Sequence, residues 1–497
     1  MTYRFPVKSI RQLLEASHGT DAPQVTVNGW VRTVRTQKQR AFVQVADGSN
    51  PQGIQAVVSD PEMVKGLSTG ASVRLQGSLV KSIGGNQAME LKASAITLLG
   101  ASDPEKYPLH KAKLPLEHLR DHFHLRSRTR TFTAMWKLRN SAMQGFHEFF
   151  QSNDFIHVNT PIFTTNDCEG AGESFRVMTP ESLANQSTAT GTLKQQHQQH
   201  QQIKKDEFFD LPVSLTVSSQ LHLEAMNAAL PRVYTMGPAF RAEKSLSTRH
   251  LAEFWMLEAE AAFLTNLDDL LDLLEASVKA TTSRVVAASA DDLSVLAALP
   301  LATTGTSSHR TKEETQKLIL SLSEAGPAFH RITYTEAIKI LQSCGKTWTH
   351  PVDSWGASLQ SEHERYLAEE YFKAPVFVTD YPASEKPFYM LDSADSEGNR
   401  GIHGGPTVAC VDLLVPGIGE VAGGSLREHR LDGIQRKIQE KKMDMKGLDW
   451  YMDLRRYGAV PHGGFGLGFE RYLMALSGMG NVRDVIPMPR WFGHCKY

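Results

Sequence analysis

Between Gln24 and about Leu99, apolar and polar residues alternate in short runs: "VTVNGWVRTV", "AFVQVADGS", "GIQAVVSD", "ASVRLQGSLV" and "ELKASAITLL". A period of two puts successive side chains on opposite faces of a strand. Asp-Gly and Gly-Gly turns separate the runs, so the pattern predicts a small closed β-barrel of roughly five strands. Pro104, Pro108 and Pro115 follow in a charged stretch that reads as a linker. From about Arg128 to Phe150 the spacing turns helical, and "FIHVNTPIF" reads as a strand ending near Pro161. A helical region runs from Asn266 to about Leu341, and beyond it "PVFVTDYP", "PFYMLDS" and "TVACVDLLVPG" read as antiparallel strands. A last helix is expected to begin near Gly468. The chain thus divides into a barrel over 1–102, a linker or hinge over 103–127 and an α+β domain over 128–497.

Insertions interrupt the larger domain. The stretch from about Pro180 to Lys205, with "SLANQSTATGTLKQQHQQHQQIKK", is too polar to bury a core and is expected to be disordered. His197 and His200 within it read as compositional drift rather than metal ligands. A helical insertion spans about 285–330, and "SADSEGNRGIHGG" is a second polar loop.

Composition narrows the class. Hydrophobic content of 41% and charged content of 22% in 497 residues describe a globular protein of two or more domains. The net charge of −1 supplies no global field, so a nucleic-acid partner must be met by local clusters. One is "RTVRTQKQRAF", where Arg32, Arg35, Lys38 and Arg40 lead into Phe42. A basic groove with an exposed aromatic binds single-stranded bases, although alternation alone also allows Phe42 in the barrel core. "RDHFHLRSRTR" adds a basic stretch suited to a phosphate backbone. The four cysteines are far apart, without a C-x-x-C pair, which points to a reducing compartment. No apolar run approaches a membrane span. "MTYRFPVKSIRQLLEASHG", basic at Arg4, Lys8 and Arg11, reads either as a weak organellar import signal or as the first helix of the fold.

The chemistry concentrates in three places. "FRAEKSLSTRHLAEFWMLE" reads as a hairpin that sets Arg241, Glu243, Arg249, His250, Glu253 and Glu258 among aromatics. "DLLVPGIGEVAGGSLRE" places Asp412, Glu420 and Arg427 around a glycine-rich turn, and "GGFGLGFERYLM" leads glycines into a helix bearing Glu470 and Arg471. Buried charges need partners or a charged ligand. Carboxylates suit Mg²⁺, arginine forks suit phosphate, and an aromatic such as Phe254 suits a purine. No P-loop is present, so a nucleotide here would lie on an antiparallel sheet. Spacing alone leaves the nucleotide-site and purely structural readings both open.

The three stretches also carry a resemblance. "FRAEKSLSTRHLAEFWMLE" resembles motif 2 of class II aminoacyl-tRNA synthetases, "GFGLGFERYLM" looks like motif 3, and the helix with "FIHVNTPIF" looks like motif 1. Together with "NDCEGAGESF", "SSQLHLEA" and "GIGEVAGGSLREHRLD", they are most similar to the asparaginyl branch of that class. The resemblance spans nearly the whole chain and implies an N-terminal OB-fold anticodon domain. A catalytic sheet of six or seven antiparallel strands flanked by helices would follow, dimeric through motif 1. The implied reaction joins asparagine to ATP as an adenylate and transfers it to tRNA(Asn), with Mg²⁺ as cofactor.

By position, the resemblance assigns Arg241 to the ATP α-phosphate, Glu243 to the adenine amino edge and Phe254 to its ring. Arg471, with Arg249 or His250, is assigned to the γ-phosphate, and Asp412 and Glu420 to Mg²⁺. Glu169, Ser218 and Gln220 match positions for the α-ammonium group; Arg427 would donate to the side-chain oxygen and Glu258 accept from the amide NH₂. Phe42 and Gln55, beside Arg32, match positions that hold the anticodon's central uridine. The sister aspartyl enzymes, some relaxed in specificity, are the alternative. They place a lysine three residues after the glutamine, where this chain has Leu223. The wording around Trp255–Met256 resembles bacterial and organellar members, which implies the mitochondrial matrix, with the cytoplasm as the alternative.

Overall fold

The alternating runs close on themselves in the computed structural model. It describes residues 7–17, 19–84, 87–109, 114–165, 174–181, 183, 208–299, 310–393, 405–443 and 447–497. Glu169, the Gln/His tract, the core of the 285–330 insertion, most of the "SADSEGNRGIHGG" loop and the first six residues lie outside them. The chain forms two compact units, Met1–Leu138 with Ser289–Leu299, and Arg139–Ala288 with Pro300–Tyr497.

In the first unit, β1 (Ala22–Thr36), β2 (Ala41–Ala46), β3 (Ile54–Val58), β4 (Ser72–Lys81) and β5 (Met89–Gly100) make a closed barrel in the order β1-β2-β3-β5-β4. Ala41, Val43 and Val45 point inward and are completely buried. Phe42 and Gln44 alternate with them and stand half-exposed on the outside, so Phe42 is not a core residue. The helix Ile10–Ser17 places Ile10 in the barrel's hydrophobic cluster, with Leu13 and Leu14 packed against it.

The second unit is built on an eight-stranded sheet, order β12-β13-β14-β15-β16-β11-β10-β6. Its strands are β6 (Ile156–His157), β10 (Arg232–Phe240), β11 (Glu253–Ala262), β12 (His330–Thr333), β13 (Val376–Thr379), β14 (Cys410–Val415), β15 (Gly419–Leu426) and β16 (His462–Gly468). The remaining three, β7 (Phe163–Thr164), β8 (Arg176–Val177) and β9 (Val213–Leu215), form a small separate sheet. The expected antiparallel order holds through the middle of the large sheet, but both edge pairs, β12–β13 and β6–β10, are parallel. β12 was hidden in the helical stretch because its four residues run straight into a helix capped by Thr333. "PFYMLDS" makes only isolated bridges, at Met390 and Asp392. Its Phe388, Tyr389 and Met390 are buried, so the segment fills the core instead of extending the sheet.

The helix Arg130–Ser152 buries Leu138, Ala142, Phe146 and Phe150, each one turn after the last. Phe146 meets Phe469 and Tyr472 on the helix Phe469–Ser477, which ends at Gly478 in the left-handed conformation. Arg139 donates to Glu470 at 2.7 Å, and the other oxygen of Glu470 accepts from Trp255 N at 2.9 Å. The three motif-like segments are therefore tied through one buried carboxylate. Among the described residues no helix is long and apolar enough to cross a membrane.

Candidate active site

β10 and β11 pair from Arg232↔Ala261 to Phe240↔Glu253, and the Arg241 amide extends the ladder by bonding Ala252 O at 3.0 Å. Along β11 the period of two puts Phe254, Met256, Glu258 and Glu260 on one face. Glycines stand opposite on β16: Glu258 faces Gly466 and Glu260 faces Gly464. A Cβ at Gly464 would lie 1.9 Å from Glu260 Oε2, and one at Gly466 would lie 2.6 Å from Met256 Cε. The missing side chains give the long residues of β11 room to lie across the sheet.

Two cavities open on this face. One is lined by Arg241, Glu243, Arg249, His250, Phe254, Glu420 and Arg471, every residue the resemblance assigns to ATP. The Arg241 guanidinium lies 5.5 Å from the centre of the Phe254 ring. His250 reaches Glu243 at 3.5 Å through Nε2, while its Nδ1 faces Ser247 Oγ at 2.5 Å. Burial lowers the His250 pKa against the pull of Glu243, and the positive charges of Arg471, Arg249 and Arg241 push the same way. Arg249 is likewise lowered, by burial and then by Arg365 and Arg471. Cations crowded this closely call for a polyanion among them.

The second cavity, about 330 Å³, is lined by Ser218, Gln220, Leu223, Glu258, Asp412 and Arg427, with Lys386 and Glu260. Both residues assigned to the side-chain amide line this cavity, and Arg427 also has a partner within the protein. It grips Glu260 with two bonds of 3.0 Å and Ser425 Oγ at 2.8 Å, 3% exposed against 1% for Glu260. Glu258 is held by Ser218 Oγ at 2.5 Å and the Ser219 amide at 2.9 and 3.0 Å. Burial raises its pKa, and those hydrogen bonds recover part of the shift. Glu260 is within reach of Arg427 because it lies two residues beyond Glu258 on the same face, at the level where Arg427 leaves β15. Leu223 is buried at 1% exposure and gives the cavity an apolar wall.

Asp412 is also more engaged than its sequence neighbours suggest. Lys386 donates to Asp412 Oδ2 at 2.8 Å. Burial still raises the Asp412 pKa despite that cation, whereas Arg471, Lys386 and Arg241 overcome burial and hold Glu420 below its ordinary value. A third carboxyl, Glu364, is pushed up to about 7 by burial and by Glu420 and Asp412. A Cβ at Gly423 would lie 3.2 Å from Asp412 Oδ1 and 3.4 Å from Glu420 Oε1, so two carboxylate oxygens converge on a space kept open by glycine. That cradle of hard oxygens fits a small divalent cation. Glu260, Glu364 and Lys386 were missed in the sequence; only Glu260 carried a signal, its position on the face of Glu258.

In the barrel, Arg35 lies 3.5 Å from Gln55 Oε1 and its guanidinium sits 5.8 Å from the Phe42 ring. Arg32 turns elsewhere, donating to Pro51 O at 2.8 Å, and burial lowers its pKa. Arg35, rather than Arg32, joins the Phe42–Gln55 face.

An OB barrel and a sheet with facing arginines and carboxylates define a class of protein, and comparison with known proteins names it. Residues 116–491 match the family "tRNA synthetases class II (D, K and N)", and residues 25–99 match "OB-fold nucleic acid binding domain". The chain belongs to the class II tRNA synthetases. It is 45% identical to the asparagine–tRNA ligase of Nostoc sp. over 95% of this chain and 96% of that one, and 41% identical to the asparaginyl-tRNA synthetase of Mus musculus over 95% and 91%. The solved structure of Pyrococcus horikoshii asparaginyl-tRNA synthetase complexed with asparaginyl-adenylate superposes with a TM-score of 0.80 at 29% identity, covering 99% of this chain and 100% of that one. Within the class, the chain is a member of the asparagine–tRNA ligase family.

Proposed function

We propose that this asparagine–tRNA ligase forms asparaginyl-adenylate at Arg241 and passes the asparaginyl group to the terminal ribose of tRNA(Asn). The observation that carries this reading is a shared wall. Arg241, Met256, Glu420 and Gly466 line both cavities, so a triphosphate in one and an amino acid in the other meet at Arg241. The asparagine carboxylate is already a nucleophile and needs no general base. It attacks the α-phosphorus, pyrophosphate leaves, and the charge gathering on the α-phosphate falls on the Arg241 fork. Phe254 offers its face to adenine and Glu243 its carboxylate to the amino edge. Arg471, Arg249 and His250 receive the outer phosphates. Asp412 Oδ1 and Glu420 would hold Mg²⁺, which neutralises phosphate charge when bound. Chelating divalent ions is expected to stop ATP–pyrophosphate exchange, with activity returning on addition of Mg²⁺; exchange that survives chelation would remove this role.

Asparagine is favoured at the far end of the amino-acid cavity. Glu258 accepts from the amide NH₂, and the N–H groups Arg427 has left after Glu260 and Ser425 face the side-chain oxygen. Aspartate would set a second oxygen against Glu258. Leu223 supplies no cation there, and Lys386 is bound to Asp412. A site built for one hydrogen-bonding pattern rejects its isostere strongly.

The barrel is read as the anticodon reader, with a base on Phe42 and hydrogen bonds from Gln55 and Arg35. Stacking on one aromatic contributes about 1–3 kcal/mol. Phe42→Ala should therefore lower tRNA(Asn) charging by roughly 5- to 150-fold and leave tRNA-free exchange unchanged. Equal charging by wild type and variant would remove Phe42 from recognition.

A homodimer is our reading of the motif-1 region, where Ile156, Ile162 and Phe163 are 48%, 42% and 50% exposed and offer apolar side chains to a second copy. Sedimentation of Phe163→Asp, expected to be monomeric beside a dimeric parent, tests it. We place the chain in the mitochondrial matrix on its organellar-type wording and its basic residues Arg4, Lys8 and Arg11. Import of the labelled full chain by isolated mitochondria tests that, and failure would favour the cytoplasm.

A further inference from the structure

The helix Gln220–Asn227 starts at the amino-acid cavity, and its first residue lines the wall. One turn further, Glu224 is enclosed at 2% exposure. A carboxylate buried so deeply must collect donors. Glu224 has Arg455 at 2.6 Å, the Tyr451 hydroxyl at 2.8 and 3.0 Å and His462 Nε2 at 3.2 Å. Burial pushes its carboxyl up, but Arg455 and His462 outweigh burial and hold it well below the usual carboxylate range.

A carboxylate without its proton can only accept hydrogen bonds. Gln220 Nε2 lies 3.0 Å from Glu224 Oε1, so only the NH₂ end of that amide can face it. The carbonyl end is left to the cavity, and no described residue donates to it. We infer that Glu224 is a positioning residue: it fixes the Gln220 amide so that its carbonyl oxygen, and not its NH₂, meets the α-ammonium group of asparagine. This rests on the reading of Gln220 as an ammonium-binding residue. With glutamine at 224 either end of Gln220 finds a partner, and the end turned to the substrate is no longer determined.

The test compares asparagine with succinamate, the same molecule without its α-amino group, as ligands of the full-length enzyme. Affinities come from exchange kinetics for asparagine and from competitive inhibition for succinamate. Glu224→Gln is expected to narrow the preference for asparagine by on the order of 10-fold or more, the scale of a hydrogen bond to a charged group. Succinamate affinity should stay within about threefold of wild type. Tyr451→Phe, which removes one donor but leaves the carboxylate, should keep the wild-type preference. Equal weakening of both ligands in Glu224→Gln, an unchanged preference there, or a lost preference in Tyr451→Phe would each overturn the inference. Gln220→Met separates the two claims. It should lose the preference, and if it does not, the ammonium role of Gln220 falls irrespective of Glu224. Should Glu224→Gln fail to fold, Glu224→Asp keeps the anion for Arg455 and His462 while drawing it back from Gln220, and the same comparison decides.

Discussion

Arg241→Ala is expected to reduce asparagine-dependent ATP–pyrophosphate exchange by on the order of 10³ or more, with little change in thermal stability. Arg241 stands where the two cavities join, over Phe254, and its side chain is only partly buried, so its loss leaves no cavity in the core. Its contribution grows as charge accumulates on the α-phosphate, so kcat should fall more than KM rises. Arg241→Lys keeps the charge but loses the planar fork, and should lie between wild type and alanine. Exchange within tenfold of wild type in Arg241→Ala would remove it from the centre of the reaction.

The second large effect is structural and functional at once. Arg427→Met leaves Glu260 buried without its partner, and breaking a buried pair in this way costs about 3–5 kcal/mol. Urea denaturation should show that loss, and asparagine activation should disappear with it. The double variant Arg427→Met/Glu260→Met should regain most of the stability, because the isolated charge is gone, yet remain unable to activate asparagine. A double variant that recovered activity would mean that Arg427 only supports the fold. One that stayed as unstable as the single variant would mean that the pair is more than an ionic partnership.

Much of this was legible in the sequence because it is local. The barrel followed from alternation, and the charged hairpin, the glycine-rich turn and the Arg471 helix each announced themselves within about twenty residues. What escaped was distant. Lys386 meets Asp412 from 26 positions away, and Arg427 meets Glu260 across 167. No run of residues foretells such a meeting, so the partner that Arg427 finds in Glu260 was not legible although Glu260 stands only two residues beyond Glu258. "PFYMLDS" has strand-like residues but spends them on the core, since burial of Phe388 and Tyr389 satisfies the same apolar pattern without a ladder. β12 is short enough for its pattern to merge with the helix after it.

On our reading, the cavity beside Arg241 is built for asparagine. The most direct measurement is ATP–pyrophosphate exchange by the purified full chain, with asparagine and aspartate supplied separately. Asparagine should support exchange with a kcat/KM on the order of 10⁴ or more above that for aspartate, because aspartate meets Glu258 with no cation at Leu223. Exchange with aspartate alone, or with both amino acids equally, would contradict the roles given to Glu258, Arg427 and Leu223.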